Sequence, residues 1–300
     1  MSTSLLAYET ERSAWAVRVA DYLELTKPKI VALVLVTVAV SATLAAWSVP
    51  SPLLLLHMLV GTALVAASAS ALNQLLERES DAQMPRTADR PLPAGRLQTF
   101  QVARFAAASI IAGLVYLAVT IGLATAAWGL LTWAVYVWIY TPLKSRTSAN
   151  TAVGAVAGAL PVFIGYSAAG GSIDIPACTL FLIVFLWQFP HFMAISWIYR
   201  AEYADAGLKM LSVVDPSGRR VGAQAMLSAL VLLPISLLPA VVDRAGMIYF
   251  AWAVALGVGQ LCCAAMFLVR LDERAARLLL RASLVYLPLL LLLLMLGPLR

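Results

Sequence analysis

The chain has 300 residues, 62% of them hydrophobic and 12% charged, where a soluble domain carries about 25% charged residues. A mean hydropathy of +0.88 excludes an ordinary soluble fold and points to an all-α polytopic membrane protein, because a chain in lipid must satisfy its own backbone. The net charge of +6 is no nucleic-acid signature: Lys and Arg alternate from link to link, as membrane topology requires.

Residues 1–21 are mixed polar, with Glu9, Glu11, Arg12 and Arg18. They lack a basic stretch followed by an apolar one, so no cleavable signal is expected. A spanning helix needs about 20 mostly apolar residues. Spans are accordingly expected at 28–48, 52–76, 101–119, 121–141, 151–169, 175–198, 222–241, 247–269 and 279–297. That makes about nine transmembrane helices around a central cavity. The third and fourth nearly touch. Pro28 suits the first turn of the first span. Gly154 and Gly158 form a small-xxx-small pair suited to close helix packing. Cys178, Cys262 and Cys263 lie in apolar segments without a CxxC spacing and are expected to be buried small hydrophobes.

Charge sets orientation. Arg12, Arg18 and Lys27 precede the first span, and basic residues recur in every second link after it. The opposite links hold little beyond Asp174, Asp243 and Arg244. The expected topology is an inner cell membrane protein of bacterial type, N-terminus cytoplasmic and C-terminus outside. Residues 1–300 then form one domain, with a cytoplasmic segment 1–27 and two cytoplasmic cap loops, 77–100 and 199–221.

The chemistry concentrates in those loops. Asn73, Glu77 and Asp81 stand at i, i+4 and i+8 on one helix face, rising about 12 Å. Carboxylates beside a bilayer core are costly, and such an oxygen ladder suits magnesium, which bridges carboxylates to substrate phosphates. Arg86, Arg90 and Arg96 follow among Pro85, Pro91 and Pro93. Guanidinium forks match phosphate oxygens, and the prolines stiffen the loop. Solvated positive-inside charge would account equally for any one of these arginines. In the second cap, Glu202 and Asp205 are i, i+3 neighbours, Tyr199 and Tyr203 are i, i+4, Gly207 suits a helix stop, and Lys209 follows. Between the caps, Tyr140, Lys144 and Asn150 could reach a substrate. In the sixth span, Gln188 and His191 flank Pro190, which is expected to kink the helix. An intramembrane His is a functional candidate by default. His57 is expected at the membrane interface.

These segments, with Thr26-Lys27-Pro28 and Tyr140-Thr141-Pro142-Leu143-Lys144, resemble the UbiA-type membrane prenyltransferase superfamily, and within it the protoheme IX farnesyltransferases. Most of the superfamily has Asp where this chain has Glu77, a departure that favours the heme branch. The superfamily's second Asp-x-x-x-Asp motif is broken, since Ala206 stands four residues after Glu202. The resemblance implies magnesium, with farnesyl diphosphate and heme b as co-substrates and a heme A synthase as a further partner. It implies metal binding by Asn73, Glu77, Asp81 and Glu202, with Asp205 assisting. Arg86, Arg90, Lys144 and Lys209 would bind diphosphate. Tyr140, Asn150, Gln188, His191, Tyr199 and Tyr203 would line the substrate cavity. Prenylation of an aromatic quinone precursor is the nearest alternative. A cation-coupled transporter is the alternative of another class; it would place the acids near the midplane in a repeat, and no inverted repeat is visible.

Overall fold

The structure is a computed structural model that describes residues 15–241 and 245–297. Among these residues there is no strand, and nine helices are long and apolar enough to cross a membrane. Arg12, Glu9 and Glu11 lie outside the described residues, as do Asp243 and Arg244.

A short helix α1 over 15–25 leads into α2 (Pro28–Ala46) and α3 (Pro52–Leu76). Next come a single-turn α4 (Arg78–Gln83), α5 (Thr99–Thr120) and α6 (Leu123–Ala134). A π-helical turn, Val135–Tyr140, continues α6 into α7 (Thr141–Leu143). The fifth span is split into α8 (Asn150–Ala159) and α9 (Pro161–Ala168). The sixth is α10 (Ile175–Ile198). Two short helices, α11 (Arg200–Asp205) and α12 (Leu211–Val214), precede the last three spans, α13 (Arg219–Val241), α14 (Gly246–Arg270) and α15 (Glu273–Met295).

Local chemistry sets these ends. Pro28 and Pro52 occupy first helical turns, where a missing N–H costs nothing. Ser51 and Asp174 accept hydrogen bonds from Leu54 N (3.2 Å) and Ala177 N (3.0 Å) as N-caps. Gly122, at φ 151°, makes the sharp break between α5 and α6, and Gly207, at φ 69°, ends the α11 turn.

Adjacent spans pack in chain order, α3 on α5 and α5 on α6 in one half, α13 on α14 and α14 on α15 in the other. Helix α10 joins the halves by packing on α8, α13 and α15, and α15 meets α2 to close the ring. The largest apolar cluster lies around α9, α10 and α15, with Leu180, Ile183, Trp187, Leu287 and Leu290 buried in it. A separate small cluster of Met84, Tyr203, Leu208 and Met210 joins the two cap loops to each other.

Two expectations are corrected. Helix α10 runs unbroken through Pro190; the proline that divides a span is Pro161, after Leu160. Cys178 and Cys262 are exposed on the outer surface of the bundle and Cys263 is part-buried. In lipid the outward face is as apolar as the core, so hydropathy does not reveal which way a cysteine points. Gly154 and Gly158 do sit at close approaches: a Cβ on Gly154 would lie 2.6 Å from the Tyr140 ring, and one on Gly158 would overlap the Gln188 amide. His57 Nδ1 hydrogen-bonds Tyr116 Oη at 2.7 Å, part-buried between α3 and α5.

Candidate active site

Helix α3 does not carry the first acidic ladder straight through. It ends at Leu76 with Glu77 as its C-cap, and α4 starts at Arg78. The helical register survives the junction: Glu77 N donates to Asn73 O (3.0 Å) and Asp81 N to Glu77 O (2.7 Å). Glu77 and Asp81 therefore face the same cavity, of about 200 Å³, at the end of the bundle where the cap loops meet. Four cations line it with them: Lys27, Arg86, Arg90 and Lys144. Its apolar wall includes Tyr140, Phe192, Ile195, Leu208 and Met210.

Each acid holds its own cation. Lys144 Nζ is 2.8 Å from Glu77 Oε1, and Arg90 Nη1 is 2.6 Å from Asp81 Oδ2. The Asp81 side chain is 2% exposed and that of Glu77 12%, so both pairs sit where an unpaired charge is costly. Burial alone would push the Lys144 ammonium down, but Glu77 and the tyrosines Tyr140 and Tyr136 overcome it and hold the pKa well above the usual lysine value. Arg86 is the hinge between caps. Its Nη2 donates to Tyr203 Oη at 2.8 Å and its Nε lies 3.7 Å from Glu202 Oε2. Its guanidinium also lies over the rings of Tyr199 and Tyr203, at 4.5 and 5.0 Å, a cation–π arrangement.

Asn73 is fully buried beneath this layer. Lys27 Nζ donates to its Oδ1 at 2.5 Å, and its Nδ2 donates to Thr141 Oγ1 at 3.1 Å. Thr141 in turn donates to the Tyr136 carbonyl (2.9 Å), which the π-turn also presents to the Thr141 N–H. Burial, then the charge of Arg90, pushes Lys27 down to about 7.

The remaining expected residues distribute as follows. Asn150 lines the cavity and is also a staple: its Nδ2 donates to Thr147 O (2.7 Å) and Lys209 O (3.1 Å). Lys209 N donates to Lys144 O at 2.7 Å, so Lys209 ties the second cap down by its backbone, while its side chain is exposed and not among the cavity lining. Asp205 is exposed and likewise outside the lining. Gln188 is buried behind the cavity, donating to Ala155 O and Val184 O at 2.9 and 3.2 Å. His191 lies farther along α10, its Nδ1 2.9 Å from Ser283 Oγ and its ring stacked on Trp187. Arg96 lies outside, donating to Asp21 (2.6 Å) and Glu24 (2.9 Å) and so clamping α1 to the first cap. Sequence reasoning overlooked Lys27 as a cavity residue; the signal available was Thr26-Lys27-Pro28 at the foot of the first span.

The donor set fits a hard divalent cation shared with a ligand. Glu77 Oε1 and Glu202 Oε2 are buried carboxylate oxygens met only by the cations Lys144 and Arg86. Among the described residues no three acidic, histidine or cysteine side chains converge to enclose an ion, so Asn73, Glu77, Asp81 and Glu202 do not form a closed cage. Two carboxylates facing an open cavity leave positions for water and phosphate oxygens, as magnesium prefers.

A profile of the UbiA prenyltransferase family matches residues 34–298. The chain is 42% identical over 274 residues to the protoheme IX farnesyltransferase of Rhodopirellula baltica, covering 89% of this chain and 96% of that one. It is 42% identical over 278 residues to the protein of the same name from Solibacter usitatus, covering 90% and 95%. Among solved structures, a digeranylgeranylglyceryl phosphate synthase superposes with TM-score 0.78 at 17% identity, over 93% of this chain and 98% of that one. A UbiA homolog from Archaeoglobus fulgidus bound to geranyl diphosphate (GPP) and Mg²⁺ superposes with TM-score 0.68 at 16% identity, over 92% and 99%. At such identities the structural likeness speaks for the fold.

Proposed function

Because the chain belongs to the UbiA prenyltransferase family, we propose that it transfers the farnesyl group of farnesyl diphosphate to a vinyl group of heme b, with addition of water, giving heme o and diphosphate. The observation that carries this is the pairing of identity with charge: 42% identity over nearly the whole chain to proteins named for that reaction, and a cavity where two carboxylates face four cations.

The site's own residues supply recognition, charge and dryness. At about 200 Å³ the cavity is smaller than the roughly 300–1,000 Å³ of a full ligand pocket. It suits the diphosphate head, with the isoprenoid tail leaving along Phe192 and Ile195 between helices. Magnesium, held by Glu77 and Asp81, would add positive charge against the leaving group. Lys144 and Arg90 exchange their carboxylate partners for phosphate oxygens, and Arg86 swings the same fork from Glu202 to phosphate. The allylic C–O bond breaks with its electron pair on the diphosphate. The heme vinyl π electrons form the new C–C bond, and water adds to the resulting carbocation and loses a proton to the released diphosphate. The cap contact of Met84 with Tyr203, Leu208 and Met210 keeps bulk water from the farnesyl cation before the heme reaches it.

The cap end carries Arg78, Arg86, Arg90, Arg96, Lys144, Arg200 and Lys209, which supports a cytoplasmic N-terminus and an outer C-terminus in an inner cell membrane. The farnesylated product stays in the bilayer, where a heme A synthase would receive it. The test is direct: purified protein with heme b, farnesyl diphosphate and magnesium should yield a pigment heavier by one farnesyl group and one hydroxyl group. Unmodified heme under conditions that prenylate an aromatic acid would move the assignment to the aromatic acceptors.

A further inference from the structure

Three of the four cavity cations face a carboxylate: Lys144 faces Glu77, Arg90 faces Asp81 and Arg86 faces Glu202. Lys27 does not. Among the described residues its ammonium has no ion-pair partner; its hydrogen bond goes to the neutral amide oxygen of Asn73. A buried cation whose neighbouring carboxylates, Glu77 and Asp81, are already paired with Lys144 and Arg90 is unfavourable unless a ligand completes it. The backbone makes the placement costlier. Lys27 sits at φ 54°, ψ 62°, in the left-handed region, and Pro28 follows, which favours extended backbone at the preceding residue. Non-glycine residues held in this way cluster at ligand clamps. Here the conformation directs the side chain off the start of α2 and into the cavity beside Glu77, Asp81 and Arg90.

We propose that Lys27 is a further diphosphate-contacting residue, its ammonium held ready by Asn73 and passed to a phosphate oxygen when substrate enters. This rests on reading the cavity as a diphosphate site. Asn73 is then the holder of Lys27 in the free enzyme, and its oxygen becomes available when Lys27 turns to phosphate.

The experiment uses inorganic pyrophosphate, with and without magnesium, titrated calorimetrically into the full chain in detergent. Wild type binds, K27M loses roughly tenfold or more in affinity, as loss of a charged hydrogen bond predicts, and K27R recovers most of it. K27G relieves the left-handed strain, so it melts no lower than K27M yet binds as weakly. A structural role alone would instead make affinity follow melting temperature across the set. Wild-type affinity in both K27M and K27G overturns the proposal while leaving the site standing. No pyrophosphate binding by wild type, with or without magnesium, overturns the reading of the site and the proposal together.

Discussion

The two acidic clusters look alike in sequence and differ in structure. Asn73 lies in the last turn of a spanning helix, Glu77 caps it and Asp81 sits on the short α4 that continues its register; all three are withdrawn from solvent, paired and tied to the bundle. Glu202 and Asp205 lie on a six-residue helix of the cap; Glu202 reaches only as far as Arg86, and Asp205 is exposed. The first cluster is anchored by a membrane-spanning scaffold and the second by contacts between loops. Rigid elements hold chemistry to finer tolerance than loops do. On the proposed function, the first cluster serves the reaction and the second closes the cap over it.

Substitutions can break or sharpen that division. Glu77→Gln should cost the most, about 100-fold or more in turnover, the scale of removing one electrostatic stabiliser, with the protein still folded by gel filtration and thermal melting. Next, Arg90→Met leaves Asp81 buried and alone, and should destabilise the fold by roughly 3–5 kcal/mol. Adding Asp81→Asn to that variant should recover much of the stability but none of the activity, a coupling that a double-mutant cycle in thermal melts would measure. Gly154→Ala drives a methyl into the Tyr140 ring and should cost about 1–3 kcal/mol through overpacking, with a raised KM for farnesyl diphosphate because Tyr140 lines the cavity. Glu202→Gln loses a long, part-exposed pair and should change turnover by no more than about fivefold, in keeping with the roughly 1 kcal/mol ceiling on such pairs. Asp205→Asn, smallest of all, should fall within about 0.5 kcal/mol of wild type in stability and leave turnover unchanged. A large loss in Asp205→Asn beside a mild one in Glu77→Gln would invert the assignment.

Much of this was legible in the amino-acid order. Apolar length located the spans to within a few residues, because the bilayer fixes how long a helix must be; α3 and α10 end where expected. The face shared by Glu77 and Asp81 was legible from spacing. What was not legible depends on neighbours. Nothing in Val135–Tyr140 announces a π-turn, which answers to the packing of Tyr140 on Gly154 and the hydroxyl of Thr141. Pro161 splits a span while Pro190 sits inside one, since the consequence of a proline turns on what can replace the lost hydrogen bond. Lys209 lies in a cation-rich run but serves the site through its backbone, and side-chain chemistry carries no trace of that. Lys27 lies outside every acidic or arginine run and is brought to the cavity by a backbone conformation that sequence disfavours.

The account turns on partner exchange, in which carboxylates and cations that neutralise one another in the free protein separate to receive a metal and a diphosphate. The most direct measurement is an experimental structure with magnesium and a farnesyl thiodiphosphate that reacts too slowly to turn over. The account predicts Glu77 and Asp81 turned to the metal, with Lys27, Arg86, Arg90 and Lys144 on phosphate oxygens. A diphosphate bound elsewhere, with the Glu77–Lys144 and Asp81–Arg90 pairs intact, would contradict it.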